Sequence, residues 1–185
     1  MAVFASRQIV LPQMVNYVNF IQSSGTQYID TGFKPNNNTS IEISYYATED
    51  RGVVIGADKS WKSNGLTIGP HFLEFGSSSY DHSSADGNVH TVSVSGGVFT
   101  KDGLQIWSAT DTFAGVCNLT ILALNRSGVI QEYLTGKIYY CKIWDNGTLV
   151  RDFWPCYNPD GVACLYDKVE KKYYYNAGSG EFTAG

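Results

Sequence analysis

Charged residues are scarce in this sequence, and no segment carries a long run of one sign. Lysine, arginine, aspartate and glutamate make up 16% of the 185 residues, and the formal net charge is −4. A protein that binds nucleic acid through its phosphates needs a basic face. The segment Lys168–Lys172 comes closest, but Asp167 and Glu170 balance its charge. We therefore predict no nucleic-acid partner.

Long apolar runs are also missing. No stretch approaches the roughly 20 apolar residues that a membrane-spanning helix needs. Near the N-terminus, one arginine, Arg7, precedes only the short run Ile9–Leu11 and then Pro12, which is too little for a secretory signal. The sequence thus predicts no membrane span and synthesis in the cytosol without an export signal.

Sustained 3.6-residue periodicity is absent as well, so we predict little helix. The chain instead contains 19 glycines, 13 tyrosines and 14% aromatic residues. Short aromatic and β-branched runs separated by glycine-containing turns are typical of a β-sandwich. A chain of this length forms one domain with a substantial core.

Three dipeptides mark hairpins. Asn146-Gly147 joins two alternating runs within residues 142–153, and Asp102-Gly103 separates Val98–Thr100 from Leu104–Trp107. Both dipeptides favour the tight turns that connect antiparallel strands. A third hairpin is predicted around Glu170-Lys171.

Alternation begins at Tyr17 and continues to the C-terminus, which defines a domain over residues 17–185 and an N-terminal arm over residues 1–16. Further strands are predicted at these segments: Tyr17–Ile21, Gln27–Phe33, Ser40–Tyr46, Val53–Ala57, Leu66–Ile68, Phe72–Phe75, His90–Val94, Leu119–Leu124 and Gly136–Trp144.

Five stretches resemble the LamG-like, concanavalin A-type jelly-roll modules of phage and gut-bacterial proteins: Ser24–Phe33, Lys34–Ile43, Gly136–Phe153, Gly161–Lys168 and Tyr174–Gly185. The resemblance implies an all-β jelly-roll sandwich of two antiparallel sheets that serves as a binding or structural module. Two features depart from the family: Glu170-Lys171 replaces an Asn-Gly-type turn, and Trp144 and Trp154 replace smaller residues.

Catalysis is not expected from this sequence. Laminarinase-type glycosidases share the architecture but need two carboxylates, one or two residues apart along a strand. No such triplet occurs, and Glu49-Asp50 would point to opposite faces of a strand or into solvent. A GxSxG elbow and a phosphate-binding loop are also missing. We therefore predict a protein that is not an enzyme.

Two segments are candidates for ligand binding. Residues 58–65 place Trp61 in a polar loop with Asp58 and Asn64, where an aromatic ring can stack on a sugar. The alternative is that Trp61 folds back and caps the sandwich. The second candidate, Tyr80 with His82, lies in a serine-rich segment whose alternative is an ordinary solvated loop. The strand residues Trp107, Trp144 and Trp154 are expected to pack in the core or between the sheets.

Metal sites cannot be assigned from the sequence, and no cofactor is predicted. Calcium binds many LamG-type modules, and the loop carboxylates offer oxygen ligands, but their spacing defines no site: Asp58, Asp81, Asp86, Asp111 and Asp160. Structural zinc is disfavoured because His71, His82 and His90 are isolated and no CxxC pair occurs.

The four cysteines are dispersed, and their spacing is not that of a disulfide-rich small domain. We expect Cys117, Cys141, Cys156 and Cys164 to be reduced and mostly buried. Cys141 and Cys156 flank the Asn146-Gly147 hairpin, so an approach of these two across it remains an alternative.

Arg151 and Asp152 occupy a strand with two alternative phases. If Leu149, Arg151 and Phe153 face inward, Arg151 needs a carboxylate partner. The opposite phase buries Asp152 and makes the same demand on it. Either way we predict a structural ion pair.

The arm carries more apolar side chains than a solitary short segment can bury: Val3, Phe4, Ile9, Val10, Leu11, Met14 and Val15. Such an arm can dock on a larger assembly, add a strand to a sheet edge or join an oligomer. Packing along its own sandwich is the alternative.

These expectations favour a non-enzymatic structural protein of a phage virion. It would decorate the capsid or form part of a tail fibre, attach to other virion proteins through the arm, and bind host-surface or mucosal glycans weakly. A homo-oligomer or a larger assembly is expected. The alternative is a carbohydrate-binding or adhesion module of a gut-bacterial surface protein.

Overall fold

The computed structural model describes residues 14–185, and this part of the chain contains strands and turns but no helix. Its strands in chain order are β1 (Asn16–Tyr17), β2 (Ile21–Ser24), β3 (Ile29–Asp30), β4 (Thr39–Ala47), β5 (Ile55–Asp58), β6 (Gly65–Ile68), β7 (Phe72–Gly76), β8 (Ser78–Asp81), β9 (Val89–Ser95), β10 (Val98–Lys101), β11 (Leu104–Ser108), β12 (Thr120–Ile121), β13 (Leu124–Arg126), β14 (Val129–Gln131), β15 (Thr135–Asp145), β16 (Thr148–Tyr157), β17 (Ala163–Asp167), β18 (Lys172–Tyr174) and β19 (Thr183–Ala184).

These strands form two sheets. The larger sheet has the order β11-β10-β9-β4-β15-β16-β17-β18, with β1 beside β16, β2 beside β15 and β19 beside β2. The smaller sheet has the order β14-β13-β5-β6-β7-β8, and β12 connects β3 to β5. Strand β13 runs parallel to β5, while the other pairings within residues 14–185 are antiparallel. The predicted all-β sandwich of two antiparallel sheets is confirmed, and the arrangement is compatible with a jelly roll.

The core lies between the sheets, where alternate residues of each strand point inward. Ile41, Ile43 and Tyr45 of β4 face Leu73 and Phe75 of β7 within one cluster of buried side chains. Each of these side chains is 2% exposed or less. Burial of a side chain of this size contributes about 1.5–3 kcal/mol, so this cluster is the main source of stability.

The three predicted hairpins are confirmed. Asn146 and Gly147 have φ values of 48° and 79°, and Asp102 and Gly103 have values of 52° and 81°. Two successive left-handed residues define the turn that matches the twist of the flanking strands. The third hairpin joins β17 to β18, with Lys171 in the left-handed region at φ 57°.

Two predicted strands are interrupted. The strand predicted over Tyr17–Ile21 divides into β1 and β2, because the backbone N–H groups of Asn19 and Phe20 bond to the carbonyl of Gly185 instead of to a neighbouring strand. The strand predicted over Leu119–Leu124 divides into β12 and β13 at Leu122, which adopts φ 70° and donates its N–H to Val54. Contacts distant in sequence therefore override local alternation at both places.

The ion pair predicted for Arg151 is confirmed, and Arg151 shares a face with Phe153 as in the first of the two phases. Leu149 does not follow that phase, because a bulge places it opposite Trp144 and Val150 packs against the core instead. Phe153 is fully buried, and Arg151 on the same face contacts two carboxylates. Its Nη1 lies 2.8 Å from Glu170 Oε1, and its Nε lies 3.8 Å from Asp167 Oδ2. These contacts connect β16 to β17 and to the turn that follows it.

Two of the three strand tryptophans do not pack in the core as expected. Trp107 does, because its ring lies 5.0 Å from that of the buried Phe99. Trp154 alternates with the buried Phe153 and so points to the outer face of the larger sheet, and Trp144 alternates with the buried Ile143 in the same way. Sequence alternation alone did not fix which face each strand would present.

Only the end of the predicted arm lies in the described part of the chain. Val3, Phe4, Ile9, Val10 and Leu11 precede it. Met14 is 91% exposed, and Val15 is half-buried. Asn16 then pairs with Tyr157 and Tyr17 with Cys156, so the chain joins the larger sheet at β16. Among residues 14–185, no helix is long and apolar enough to cross a membrane.

Candidate ligand-binding platform around Trp61

Residues 59–64, here called the Trp61 loop, connect β5 to β6 and lie over the outer face of the smaller sheet. Glu74 and Phe72 of β7 point to this face, because Leu73 and Phe75 between and beside them point into the main core. The loop contacts both, since Ser63 N–H donates to Glu74 Oε1 at 3.2 Å and the Trp61 ring lies against Phe72.

The Trp61 ring rests on a fixed apolar base. Its centroid is 5.1 Å from that of Phe72, with an angle of 61° between the rings. Phe72 is buried with Val53 and Leu124 in a small apolar cluster separate from the main core. Trp61 nevertheless remains 50% exposed. The alternative in which Trp61 caps the sandwich is therefore only partly realised, because half of the side chain still faces solvent.

Backbone contacts hold the Trp61 loop in place. Ser60 and Ser63 form an isolated β-bridge, and Ser127 Oγ donates to the Lys59 carbonyl at 2.8 Å. Lys62 and Asn64 adopt φ values of 57° and 50°. Asparagine tolerates the left-handed region better than most residues, whereas this conformation is energetically unfavourable for lysine. The surrounding contacts thus impose one loop conformation, which orders the tryptophan before any ligand arrives.

Asp58 supports this loop from below and does not reach solvent. It is fully buried at the end of β5. Arg126 on β13 donates from Nε to Oδ1 at 2.9 Å and from Nη2 to Oδ2 at 2.7 Å. A two-point contact of this kind satisfies the carboxylate and fixes the guanidinium. The structure therefore places Asp58 as a support for the platform and not as a surface ligand group.

Glu74 is the second carboxyl group beneath the loop. Its burial, followed by the negative charge of Asp58, raises the pKa of Glu74 to about 7. Oε1 accepts from Ser63, while Oε2 is buried without a partner among the described residues. The fit is close, because a Cβ on Gly65 would lie 2.5 Å from Glu74 Oε1. A side chain larger than glycine at position 65 would displace the carboxyl group.

Asp58 and Glu74 form a carboxyl pair that the sequence does not reveal, because β6 lies between their strands. Glycosidases use two neighbouring carboxyl groups as acid and base or nucleophile. Here both residues are fully buried, and Asp58 is occupied by Arg126. A substrate has no access to either group, so this arrangement supports the loop. Glu49 and Asp50, the pair considered from the sequence, are both exposed.

Tyr80 and His82 belong to a different surface. The segment expected to be a loop is strand β8, which pairs with β7. The Tyr80 ring is nearly parallel to the rings of Trp107 and His82, at 12° to each, with centroid distances of 6.0 Å and 6.5 Å. His82 Nε2 lies 3.1 Å from the Gly69 carbonyl, and burial lowers the pKa of His82. These residues close the edge between β8 and β11, although Tyr80 is still 38% exposed.

The sequence-predicted residues therefore do not form one site. Trp61 and Asn64 lie in the loop on the outer face of the smaller sheet, above Asp58. In β8, Asp81 pairs with Phe72, whose side chain points to the outer face. Tyr80 is the next residue along the strand, so its side chain points to the inner face of the smaller sheet. Of the two groups, the Trp61 loop presents the more exposed ring on the firmer base.

The larger sheet carries a row of aromatic side chains that the sequence alone does not reveal, because the row depends on strand register. Strand register aligns Tyr140, Trp154, Tyr166 and Tyr173 on four neighbouring strands. Trp154 stacks on Tyr140 at 5.6 Å, and Lys168 Nζ lies 4.0 Å from the Trp154 ring centroid. Because β16 lies between β15 and β17, these contacts come from opposite sides. Trp154 is in contact with both residues and is only partly exposed, which makes this row a poor stacking surface for a ligand.

A cavity of about 680 Å³ lies near the C-terminus, among the residues Tyr157, Asp160, Val162, Tyr175, Glu181 and Phe182. Its size is within the range of small-molecule sites, about 300–1,000 Å³. Tyr175 is 47% exposed at its rim. The cavity is a rival location for a ligand, but it lacks a ring as firmly seated as Trp61.

The loop carboxylates considered for calcium are dispersed over separate contacts. Asp86 bonds to His90, and Asp111 accepts a hydrogen bond from Ser77. Within residues 14–185, no group of three or more His, Cys, Asp or Glu side chains is placed to hold a metal ion.

Comparison with known proteins assigns no relative: no protein-family model matches the chain, and no curated protein matches it.

Proposed function

We propose that this protein is a non-catalytic binding and display module of a phage virion, and that it binds glycans weakly through Trp61. The half-exposed Trp61 ring, seated on Phe72 and held by an anchored loop, is the observation that carries the glycan-binding part. Such a ring offers apolar area at little cost in conformational freedom on binding.

The surroundings of Trp61 suit a polar ligand with an apolar face. Lys62 Nζ lies 5.6 Å from the Trp61 ring centroid, and Asn64 follows in the same loop. Arg126, which is partly exposed, lies on the neighbouring strand β13. Sugars combine hydroxyl groups with a flat face of C–H groups, which matches a ring bordered by hydrogen-bonding side chains. A single aromatic platform provides limited contact area, so the binding is weak and gains from many copies on one particle.

Two further features support the non-catalytic, virion-bound part of the proposal. The buried carboxyl groups of Asp58 and Glu74 are closed to substrate. The resemblance to jelly-roll modules of phage proteins, together with the apolar residues of the arm, favours attachment to other virion proteins. At the end of the arm, Met14 is exposed where the chain leaves the larger sheet.

Binding at Trp61 is tested by titrating the purified chain over immobilised mucin glycoprotein and over a panel of bacterial surface polysaccharides. We expect Trp61→Ala to weaken the best signal at least severalfold and Trp61→Phe to retain part of it. Trp144→Ala, which removes a tryptophan from the opposite face, is the matched control and should bind as the wild type does. Loss of binding in Tyr175→Ala but not in Trp61→Ala would place the site in the C-terminal cavity.

Virion display is tested by quantitative mass spectrometry of purified particles from the source culture. A count comparable with that of the major capsid protein supports capsid decoration, and a few copies support a tail fibre. Absence from particles, with recovery of the protein on bacterial surfaces, would contradict the proposal and favour a bacterial adhesion module.

A further inference from the structure

Cys156 and Cys164 lie side by side on the outer face of the larger sheet. They occupy paired positions on β16 and β17, and their Sγ atoms are 3.6 Å apart. Both are fully buried and carry no disulfide. The alternative approach of Cys156 to Cys141 is not found, since Cys141 pairs with Phe153. The cysteine partner therefore comes from the following strand and not from across the Asn146-Gly147 hairpin.

The Cα separation expected at this pair is within the range that a disulfide spans. Asn158 N–H bonds to the Val162 carbonyl, and Lys168 N–H bonds to the Asp152 carbonyl. Hydrogen-bonded and non-hydrogen-bonded pairs alternate along an antiparallel ladder. The pair Cys156–Cys164 lies two residues from Asn158–Val162 and four residues from Asp152–Lys168 on the same ladder, so it is also a hydrogen-bonded pair. Such pairs have a Cα–Cα separation of about 5.5 Å. Disulfides most often span about 5.5–6 Å between Cα atoms but need Cβ atoms about 3.5–4.5 Å apart. The Cβ atoms of a hydrogen-bonded pair lie at the wide end of about 4.5–5.5 Å, so the bond requires the two strands to draw together locally, and the resulting disulfide is strained and readily reduced.

The two thiols differ in acidity. The contact between the two thiols, in which either sulfur can donate, is the main influence that lowers the pKa of Cys164 against the effect of burial. The same thiol contact, together with burial, raises the pKa of Cys156. Cys156 Sγ also lies 3.7 Å from the Cys164 carbonyl oxygen, to which its thiol can donate. A thiol that keeps its proton through such a contact acts as the resolving cysteine, which leaves Cys164 as the attacking one.

Access is limited to small reagents. Tyr17 on β1 pairs with Cys156, and Tyr173 lies on β18, the next strand but one from β16. Burial raises the pKa of both tyrosines; Cys156 adds to this at Tyr17 after Tyr166, and both thiols add to it at Tyr173. Strand β1 contains two residues, both exposed, and among residues 14–185 it is the strand that pairs with Cys156 on the side away from β17. Short exposed strands open at low free-energy cost, which admits a molecule as small as hydrogen peroxide.

We propose that Cys156 and Cys164 are a peroxide-sensitive dithiol that oxidises to a cross-strand disulfide. The Cys164 thiolate attacks one oxygen of the peroxide, the O–O bond breaks, and hydroxide leaves and takes up a proton to form water. Cys164 is then a sulfenic acid. Cys156 sulfur attacks the Cys164 sulfur, the S–O bond breaks, and a second water departs with the Cys156 proton. Two thiols are oxidised by two electrons, and one peroxide is reduced to two waters.

The first experiment uses the full-length wild-type chain, folded and freed of reductant, before and after treatment with hydrogen peroxide. Trypsin leaves both cysteines in the segment 152–168, and a protease that cleaves before aspartate separates them at Asp160. We expect the fragments that contain Cys156 and Cys164 to stay linked after oxidation, with the loss of two hydrogens, and to separate on reduction. No linked fragments after treatment, or a link that involves Cys117 or Cys141, would overturn the proposal.

Three variants assign the roles. Cys156→Ser should accumulate a sulfenic acid at Cys164 that dimedone traps, because the resolving thiol is missing. Cys164→Ser should form neither the disulfide nor the trapped adduct at comparable peroxide doses. Cys141→Ser removes another fully buried thiol and should oxidise as the wild type does. Equal trapping at Cys156 in Cys164→Ser would overturn the assignment of Cys164 as the attacking thiol. The thiol chemistry is independent of glycan binding, so each proposal can fail without the other.

Discussion

Glu74 gives the folded protein a pH dependence that its exposed carboxylates do not. Its pKa is about 7 in the fold against an ordinary value of 4.5. Between these values the unfolded chain has lost the proton and the folded chain keeps it. The folded state then binds more protons, so the free energy of unfolding falls as the pH rises through this window. The loss is on the order of 2–3 kcal/mol once the pH exceeds the folded pKa.

We expect Glu74→Gln to remove this loss, because the amide keeps an acceptor for Ser63 N–H but cannot ionise. Wild type and variant should be similarly stable below the ordinary pKa of glutamate, and the variant more stable above neutral pH. Urea unfolding followed by tryptophan fluorescence at a series of pH values measures the difference. Glu49→Gln, at an exposed position, is the control and should follow the wild type. Parallel curves for Glu74→Gln and wild type would contradict the assignment.

His90 contributes in the same direction, so the comparison must isolate Glu74. Burial alone would lower the pKa of His90, but hydrogen bonds to Asp102 at 2.6 Å and Asp86 at 2.9 Å outweigh it and raise the pKa. A raised histidine pKa stabilises the fold below the unfolded value, and that stability is lost as the pH rises through the folded value. Glu74→Gln retains this contribution, and the difference between the two curves therefore reports Glu74.

At the scale of elements, the turn between β9 and β10 contains two adjacent glycines that are needed for different reasons. Gly96 and Gly97 have φ values of 55° and 77°. A Cβ on Gly96 would meet nothing within 4 Å, whereas one on Gly97 would lie 2.1 Å from the Ala109 carbonyl oxygen. Ala109 also donates its N–H to the Gly97 carbonyl at 2.9 Å. Only Gly97 is required both by its backbone conformation and by a close neighbour.

We expect Gly96→Ala to lower the free energy of unfolding by about 1–2 kcal/mol, the ordinary cost of a left-handed residue with a Cβ. Gly97→Ala should lose about 1–3 kcal/mol more, because the backbone at Ala109 must also move. Urea unfolding at one pH compares the pair. Equal losses in the two variants would show that the Ala109 contact is not tight in solution.

Turns of this kind are the part of the fold that sequence predicts best. Asn146-Gly147 and Asp102-Gly103 specify their hairpins through the conformation of two adjacent residues, with no help from distant strands. The strand β8 was missed for the opposite reason. Its serine-rich segment has little strand propensity, and it becomes a strand by pairing with β7.

The candidate site also has one part that the sequence indicates and another that depends on how the strands are arranged. A tryptophan in a polar loop marked Trp61 from the sequence alone. The carboxyl group of Glu74 beneath it and the Asp58–Arg126 contact depend on strand order, because the partners lie on different strands of one sheet. The Cys156–Cys164 contact depends likewise on register, which fixes which residues face each other across two strands.

At the scale of the whole molecule, the attachment point and the platform lie on opposite sides. The chain joins the fold at β1, beside β16 in the larger sheet. The Trp61 loop lies on the outer face of the smaller sheet, across the core from that point. If the arm carries the proposed attachment, Trp61 lies on the sheet opposite the point where the arm meets the fold.

Residues 1–13 precede β1, the first described strand of the fold, so their deletion retains both sheets and the Trp61 loop. We expect deletion of residues 1–13 to leave the fold and glycan binding intact and to abolish assembly, because β1 and every later strand are retained. Deletion of residues 1–17 should in addition lower stability, since it removes the pairing of Tyr17 with Cys156. Sedimentation velocity measures assembly, and urea unfolding measures stability. If the chain without residues 1–13 assembles as well as the full chain, the arm is not the attachment and another surface must carry the contact.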